Sequence, residues 1–241
     1  MEDNNIADVN VTPYKLKFGQ KLYVFIKSIL DWIFALICVV VFAPLWLVLF
    51  IAIKCDSKGP AIFRQVRIGK NRKTFKCCKW RSMSVTAPDN TATRDLQDAE
   101  AYITKVGRFI RKTSLDEFGQ LFNILTFKMS FIGYRPLLVK ETLADELRSQ
   151  KGVYQLKPGI TGWAQVHGRD FVDDRKKAEY DEYYLRHVSL WLDIKIFFMT
   201  VKAVFKEDDI HEGVLDCEKV SSVEKEEGVL SEKIPDTENK G

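Results

Sequence analysis

The sequence predicts a mostly helical α+β protein built on a broken apolar helix that enters a membrane. Three observations carry this expectation. Residues 32–53, WIFALICVVVFAPLWLVLFIAI, are uncharged and long enough to reach across hydrocarbon, yet Pro44 interrupts them near the middle. AIFRQVRI and TFKCCKWRSM alternate in polarity around Gly69-Lys70-Asn71-Arg72-Lys73, the pattern of a small β-hairpin. Beyond it, apolar residues recur at helical spacing as far as Phe205.

In chain order, residues 1–26 are a basic lead-in, 27–54 the membrane segment, 55–205 a cytosolic domain and 206–241 a tail. The tail holds 5 Lys+Arg against 12 Asp+Glu and no aromatic residue, and is expected to be disordered. The rest of the chain then has 32 bases and 21 acids. Such a body suits anionic company: phosphates, nucleic acid or an anionic membrane surface. Five cysteines without CxxC spacing and three isolated histidines argue against a disulfide frame or a zinc site.

The apolar segment has basic flanks on both sides, with Lys15, Lys17, Lys21 and Lys27 before it and Lys54, Lys58, Arg64, Arg67 and Lys70 after it. The positive-inside tendency keeps both ends in the cytoplasm. A helix–break–helix that enters and leaves one leaflet meets that condition, while a kinked spanning helix stays open. Asp31 is placed to pair with Lys27 one turn earlier. In the hairpin, alternation puts Gln65 and Arg67 on one face and Ile62, Val66 and Ile68 on the other; Lys79 and Arg81 share a face around Trp80. That hairpin is either a solvated surface lying on anionic lipid or a phosphate-binding face.

Residues 86–93 read as loop and Asp95–Lys112 as one helix. The next stretch, RKTSLDEFGQLFNIL over 111–125, starts a second helix, with Ser114 at N-cap and Glu117 three residues later as a capping box. Leu115, Phe118, Leu121, Phe122 and Leu125 form its apolar stripe, and Asp116, Gln120 and Asn123 project elsewhere. Capping leaves Asp116 unexplained, at a helix start beside Arg111 and Lys112. FIGYRPLL is an extended turn, and LKPGITGWAQVHGRD a glycine-rich loop with a short strand. The last helix, from Ser189, carries Leu190, Trp191, Ile194, Phe197, Phe198 and Val201. Core packing is the simpler expectation for that stripe; a helix lying in the membrane interface is the other.

Taken in order, Gln65-x-Arg67-x-Gly69, KWRSM, KTSLDEFGQLFNIL, GYRP, KPGITGWAQVHGR and DEYYLRHVSLWLDIKIFFMT resemble the bacterial sugar transferase family, the monotopic polyprenyl-phosphate phosphoglycosyltransferases. The resemblance covers roughly Lys27 to Phe205 and is closest to the minimal, single-domain form. It implies an enzyme held by a re-entrant helix on the cytoplasmic face of the bacterial inner membrane, with amphipathic interfacial helices around the catalytic domain. Such enzymes move a phospho-sugar from a UDP-sugar to polyprenyl phosphate, usually undecaprenyl phosphate, and release UMP as surface-glycan assembly begins. The resemblance makes Asp116 the nucleophile with Glu117 its partner, and Mg²⁺ the cofactor held by that pair. It places Arg111 and Arg135 at the donor's phosphates or uridine diphosphate, with Lys79, Arg81, Gln65 and Arg169 in supporting positions. It implies no nucleic-acid partner and is compatible with a homo-oligomer.

The chain departs from the family pattern at Ala43-Pro44 for Ser-Pro, at Tyr134 for Pro, at LDEFGQ for LDELPQ, and at His167-Gly168-Arg169-Asp170 for Asn-Gly-Arg-Asn. The first removes a hydroxyl that would help satisfy the broken helix, and the other three bear on the donor sugar more than on the reaction. Two other functions fit the bare composition: a membrane-anchored glycosyltransferase releasing UDP, and a non-enzymatic anchor for which Asp116 is dispensable.

Overall fold

The computed structural model describes residues 13–88, 99–168 and 172–205, so the acidic tail, residues 89–98 and Arg169 lie outside the described residues. Helix α1 (Phe18–Val41) and helix α2 (Ala43–Asp56) meet at Phe42. Pro44 occupies the first turn of α2, where its missing N–H has no helical acceptor to lose. The expected break near Pro44 is therefore present, and it falls just ahead of the proline. With a mean hydropathy of 2.4 and 6% of its apolar window buried, α1 is long and apolar enough to cross a membrane.

Both ends of this broken helix close on the same body. Near the start, Lys27 donates to Asp31 (2.8 Å) and to Ser130 (2.5 Å), and Tyr23 donates to Asp193 (2.6 Å). Trp32 donates its indole N–H to the Leu125 carbonyl at 3.1 Å. At the far end, the Asp56 carboxylate accepts from the Val106 N–H at 3.0 Å. Arg81 donates to the carbonyls of Ser57 (2.7 Å) and Lys58 (2.9 Å), which α2 would otherwise leave without donors. Arg81→Leu is expected to cost about 2–3 kcal/mol by orphaning them. Thermal unfolding in detergent checks this.

Strands β1 (Ile62–Ile68) and β2 (Thr74–Trp80) form the expected antiparallel hairpin, in register from Ile62 opposite Trp80 to Ile68 opposite Thr74. The strand pairing divides the residues between the two faces as the alternation does, and packing decides which face turns inward. Val66 is exposed, while Phe75 and Cys77 are buried and bring Gln65, Arg67 and Lys79 inward with them. The apolar residues on this face are Phe63 of β1 with Phe75 and Cys77 of β2, and Ile68 and Trp80 are buried on the other face.

The single helix expected over Asp95–Lys112 is two helices in its described part, α3 (Ala99–Tyr102) and α4 (Lys105–Lys112). Thr104 divides them because its hydroxyl caps α4, accepting from the Gly107 N–H at 3.0 Å. A 3₁₀ turn over Leu115–Gln120 leads into α5 (Leu121–Leu125). Strands β3 (Ser130–Ile132) and β4 (Gly159–Thr161) form a short parallel pair, separated by α6 (Thr142–Lys151). Helices α7 (Trp163–Val166), α8 (Asp174–His187) and α9 (Leu190–Phe205) complete the chain.

The main core gathers Leu137, Val153, Leu156, Tyr184, Leu185 and Ile196. Helix α9 corrects the simpler expectation. Leu192 and Ile196 face that core, whereas Leu190, Trp191, Ile194, Phe197 and Phe198 are exposed, with Trp191 at 77%. The long apolar stripe therefore faces outward, as an interfacial helix requires.

Candidate active site

The inner face of the hairpin is the floor of the site. The 3₁₀ turn Leu115–Gln120 lies across β2, and Gly119 permits the approach: a Cβ there would sit 2.9 Å from the Lys79 Cα. The glycine that looks like a weak point in a helix is the contact point between two backbones. Asn123 fastens the next turn by treating β2 as a strand partner would. Its amide donates to the Lys76 carbonyl (2.8 Å) and its oxygen accepts from the Cys78 N–H (2.8 Å).

This arrangement presents Asp116 and Glu117 to one cation. Lys79 Nζ lies 2.7 Å from Glu117 Oε1 and 3.4 Å from Asp116 Oδ2. The expected capping box is absent. Ser114 adopts φ 54°, ψ 20° with no side-chain cap, and the Glu117 carboxylate accepts from Lys79 and from Gln120. Glu117 thus belongs to the site rather than to the helix start.

Burial pushes the Glu117 carboxyl up, but Lys79, Arg135 and Arg67 together outweigh it and hold it below the usual carboxylate range. Burial likewise pulls Lys79 down, while Glu117 and Asp116 more than compensate and keep it above the ordinary lysine value. Lys79 is therefore a fixed cation at neutral pH and no general base. The pair stabilises the fold between the ordinary carboxylate and lysine ranges. Its contribution disappears as pH falls through the depressed Glu117 value or rises through the elevated Lys79 value. Lys79→Met removes the largest of the three pulls on the Glu117 carboxyl and leaves Arg135 and Arg67 alone against its burial, so the acid limb of activity is expected to move to higher pH. A pH–rate profile of the variant measures that shift.

A third cation arrives on the turn after β3. Two arginines grip this turn by its carbonyls: Arg67 donates to the Pro136 oxygen (2.9 Å) and Arg148 to the Arg135 oxygen (2.8 Å). Arg67 also donates to the Gln65 amide oxygen at 2.6 Å, which ties the hairpin floor to the turn. Arg148 is itself buried. It packs 5.5 Å from the centre of the Tyr134 ring and pairs with Asp181 at 2.6 Å, aligned short of a hydrogen bond. The result is a cluster of cations around two carboxylates, suited to a group that is itself anionic.

The profile of the family described as bacterial sugar transferase matches residues 22–207, which takes in the dyad, the hairpin and the gripped turn. The chain belongs to this family. Over 190 residues the chain is 40% identical to the UDP-N-acetylgalactosamine-undecaprenyl-phosphate N-acetylgalactosaminephosphotransferase of Aeromonas hydrophila, covering 76% of this chain and 44% of that protein. Over 184 residues it is 42% identical to the UDP-glucose:undecaprenyl-phosphate glucose-1-phosphate transferase of Klebsiella pneumoniae, covering 73% and 39%. The chain thus spans less than half the length of these two relatives. An uncharacterized sugar transferase of Bacillus subtilis is 38% identical over 180 residues and is covered to 86% of its own length.

Of the residues singled out in the sequence, the fold brings Asp116, Glu117 and Lys79 into contact, with Gln65 and Arg135 beside them through Arg67. Arg111 lies in the last turn of α4, which leads into the dyad turn. Arg81 does not join this group; it is buried against the end of α2. Arg67 was visible in the Gln65-x-Arg67 alternation. Arg148 and Asp181 gave no signal, because each sits among charged neighbours that read as solvated helix.

Proposed function

We propose that this sugar transferase moves a phospho-sugar from a UDP-sugar to polyprenyl phosphate and releases UMP, as the first membrane step of a bacterial surface glycan. The observation that carries the reading is the Asp116–Glu117 dyad held by Lys79 among Arg67 and Arg135. The relatives' names, which specify undecaprenyl phosphate and a sugar phosphotransferase, support it.

Asp116 attacks the phosphorus that bears the sugar. The new carboxylate–phosphorus bond replaces the bond to the second phosphate, and its electron pair leaves with UMP. An oxygen of polyprenyl phosphate then attacks the same phosphorus and displaces Asp116, giving the polyprenyl diphosphate sugar. A carboxylate and a diphosphate repel each other; Lys79, Arg67 and Arg135 lower that cost and offset charge on the leaving phosphate. Glu117 keeps Lys79 beside Asp116.

The donor set suits a hard divalent cation such as Mg²⁺. The two carboxylates lie together, and the buried Gln120 Oε1 beside them has no hydrogen-bond partner. No group of three or more His, Cys, Asp or Glu suited to a metal occurs among the described residues. A bound Mg²⁺ would thus rely on Asp116, Glu117, water and substrate phosphate, and would supply charge neutralisation. The apolar arms α1 and α2, both packed on one body and both flanked by bases, support a re-entrant insertion from the cytoplasmic face.

Nucleotide release from a panel of UDP-sugars with polyprenyl phosphate tests the reading. UMP is expected; UDP would assign a glycosyltransferase instead, and no product with any sugar from folded protein would leave the anchor role.

A further inference from the structure

Between α1 and α9 runs a cavity of 490 Å³ that the dyad chemistry does not use. Its floor is the parallel pair, through Ile132 and Ile160, and its walls are Leu30 and Phe34 on one side and Phe197 and Val201 on the other. Leu30, Phe34 and Phe197 are each more than half exposed, so the groove opens along the apolar outer faces of both helices. The few polar groups along it are already satisfied from within. Thr161 and Thr200 pair with each other at 2.8 Å, and the Asp31 carboxylate accepts from Lys27 and Ser130. A groove walled and floored mainly by apolar side chains selects an apolar occupant.

We propose that this groove holds the isoprenoid tail of the phosphate acceptor. The proposal rests on the transfer reading above. The floor strand decides the occupant, because β3 ends at Ile132 and the chain continues through Gly133 and Tyr134 to Arg135 on the turn that follows. Three residues span at most about 10 Å of extended chain. A molecule with its chain in the groove therefore has its head within reach of the turn that carries Arg135, with Arg67 and Lys79 beyond it. Those cations suit a terminal phosphate monoester, which carries roughly −1.5 to −2 charges near neutral pH. A phospholipid offers a singly charged diester there, and a second copy of the chain would bring apolar helices without a phosphate. The groove also gives α1 a task besides anchoring: it forms one wall of the lipid site.

A polyprenyl phosphate with a photoreactive group in its third to fifth isoprene unit, added to the full chain in phospholipid nanodiscs, tests this. Labelling is expected on the α1 and α9 wall residues, and unlabelled polyprenyl phosphate should compete it away while added phospholipid does not. Labelling confined to other segments, equal competition by phospholipid, or cross-links between two chains would overturn the proposal. In parallel, Thr200→Phe fills the groove from its α9 wall and is expected to raise the acceptor KM at least tenfold with kcat little changed; an unchanged KM in folded variant would also overturn it. UMP release by the unaltered protein is scored in the same nanodiscs. Its absence would count against the transfer reading itself, separately from where the tail lies.

Discussion

Asp116→Asn is expected to lower phospho-sugar transfer by at least about a thousandfold, the scale seen when a covalent nucleophile is removed. The fold should survive. Asn is nearly the same size, and the shorter contact of Lys79, 2.7 Å to Glu117, remains in place. What the amide cannot do is attack phosphorus and leave again as a carboxylate. Glu117→Gln is expected to be milder in mechanism and harsher on structure, since it removes the charge that holds Lys79 and depresses nothing in exchange. Steady-state rates and melting temperatures of the two variants side by side separate the roles. Equal activity of Asp116→Asn and the unaltered protein would make the dyad a structural feature.

Arg148→Met is expected to destabilise the protein by about 3–5 kcal/mol, because Asp181 is left as a buried acid without its cation. Both side chains are only 2% exposed, so water cannot take over. Burial already pushes the Asp181 carboxyl up, against the pull of Arg148. Without that pull, the variant's stability should fall as pH rises through the ordinary carboxylate range, where the unfolded chain gives up the proton first. A second change separates stability from function. Arg148→Met with Asp181→Asn removes the lone charge and should recover much of the stability, yet it still lacks the 2.8 Å bond to the Arg135 carbonyl. The double variant is expected to fold with a raised donor KM and a lowered kcat. Near-normal kinetics in it would confine Arg148 to the core.

How far the sequence reached depends on the range of the interaction. The break at Pro44, the Lys27–Asp31 pair and the hairpin with its turn were legible because each is decided within a few residues. The capping box failed for a tertiary reason: Lys79, 38 positions away, captures the Glu117 carboxylate that a lone helix would have used for itself. The orientation of α9 was ambiguous because its apolar residues cover more than one face, and only the packing of Leu192 and Ile196 chooses which of them is buried. At the site, Asp116 stood out since capping did not need it, and the motif order suggested the role proposed for it. The grip on Arg135 was invisible. It depends on Arg148 reaching a main-chain oxygen from α6 and an acid from α8, and no local pattern encodes that meeting.

The most direct test of the two-step route omits the acceptor. The full chain, in detergent with Mg²⁺ and the UDP-sugar that supports turnover, is followed by intact mass and by nucleotide analysis. A mass increase of one phospho-sugar, matched by one equivalent of UMP and absent in Asp116→Asn, is the predicted result. UMP that forms only when polyprenyl phosphate is present, with no adduct at any time, would contradict the covalent role of Asp116 and point to direct transfer between the two substrates.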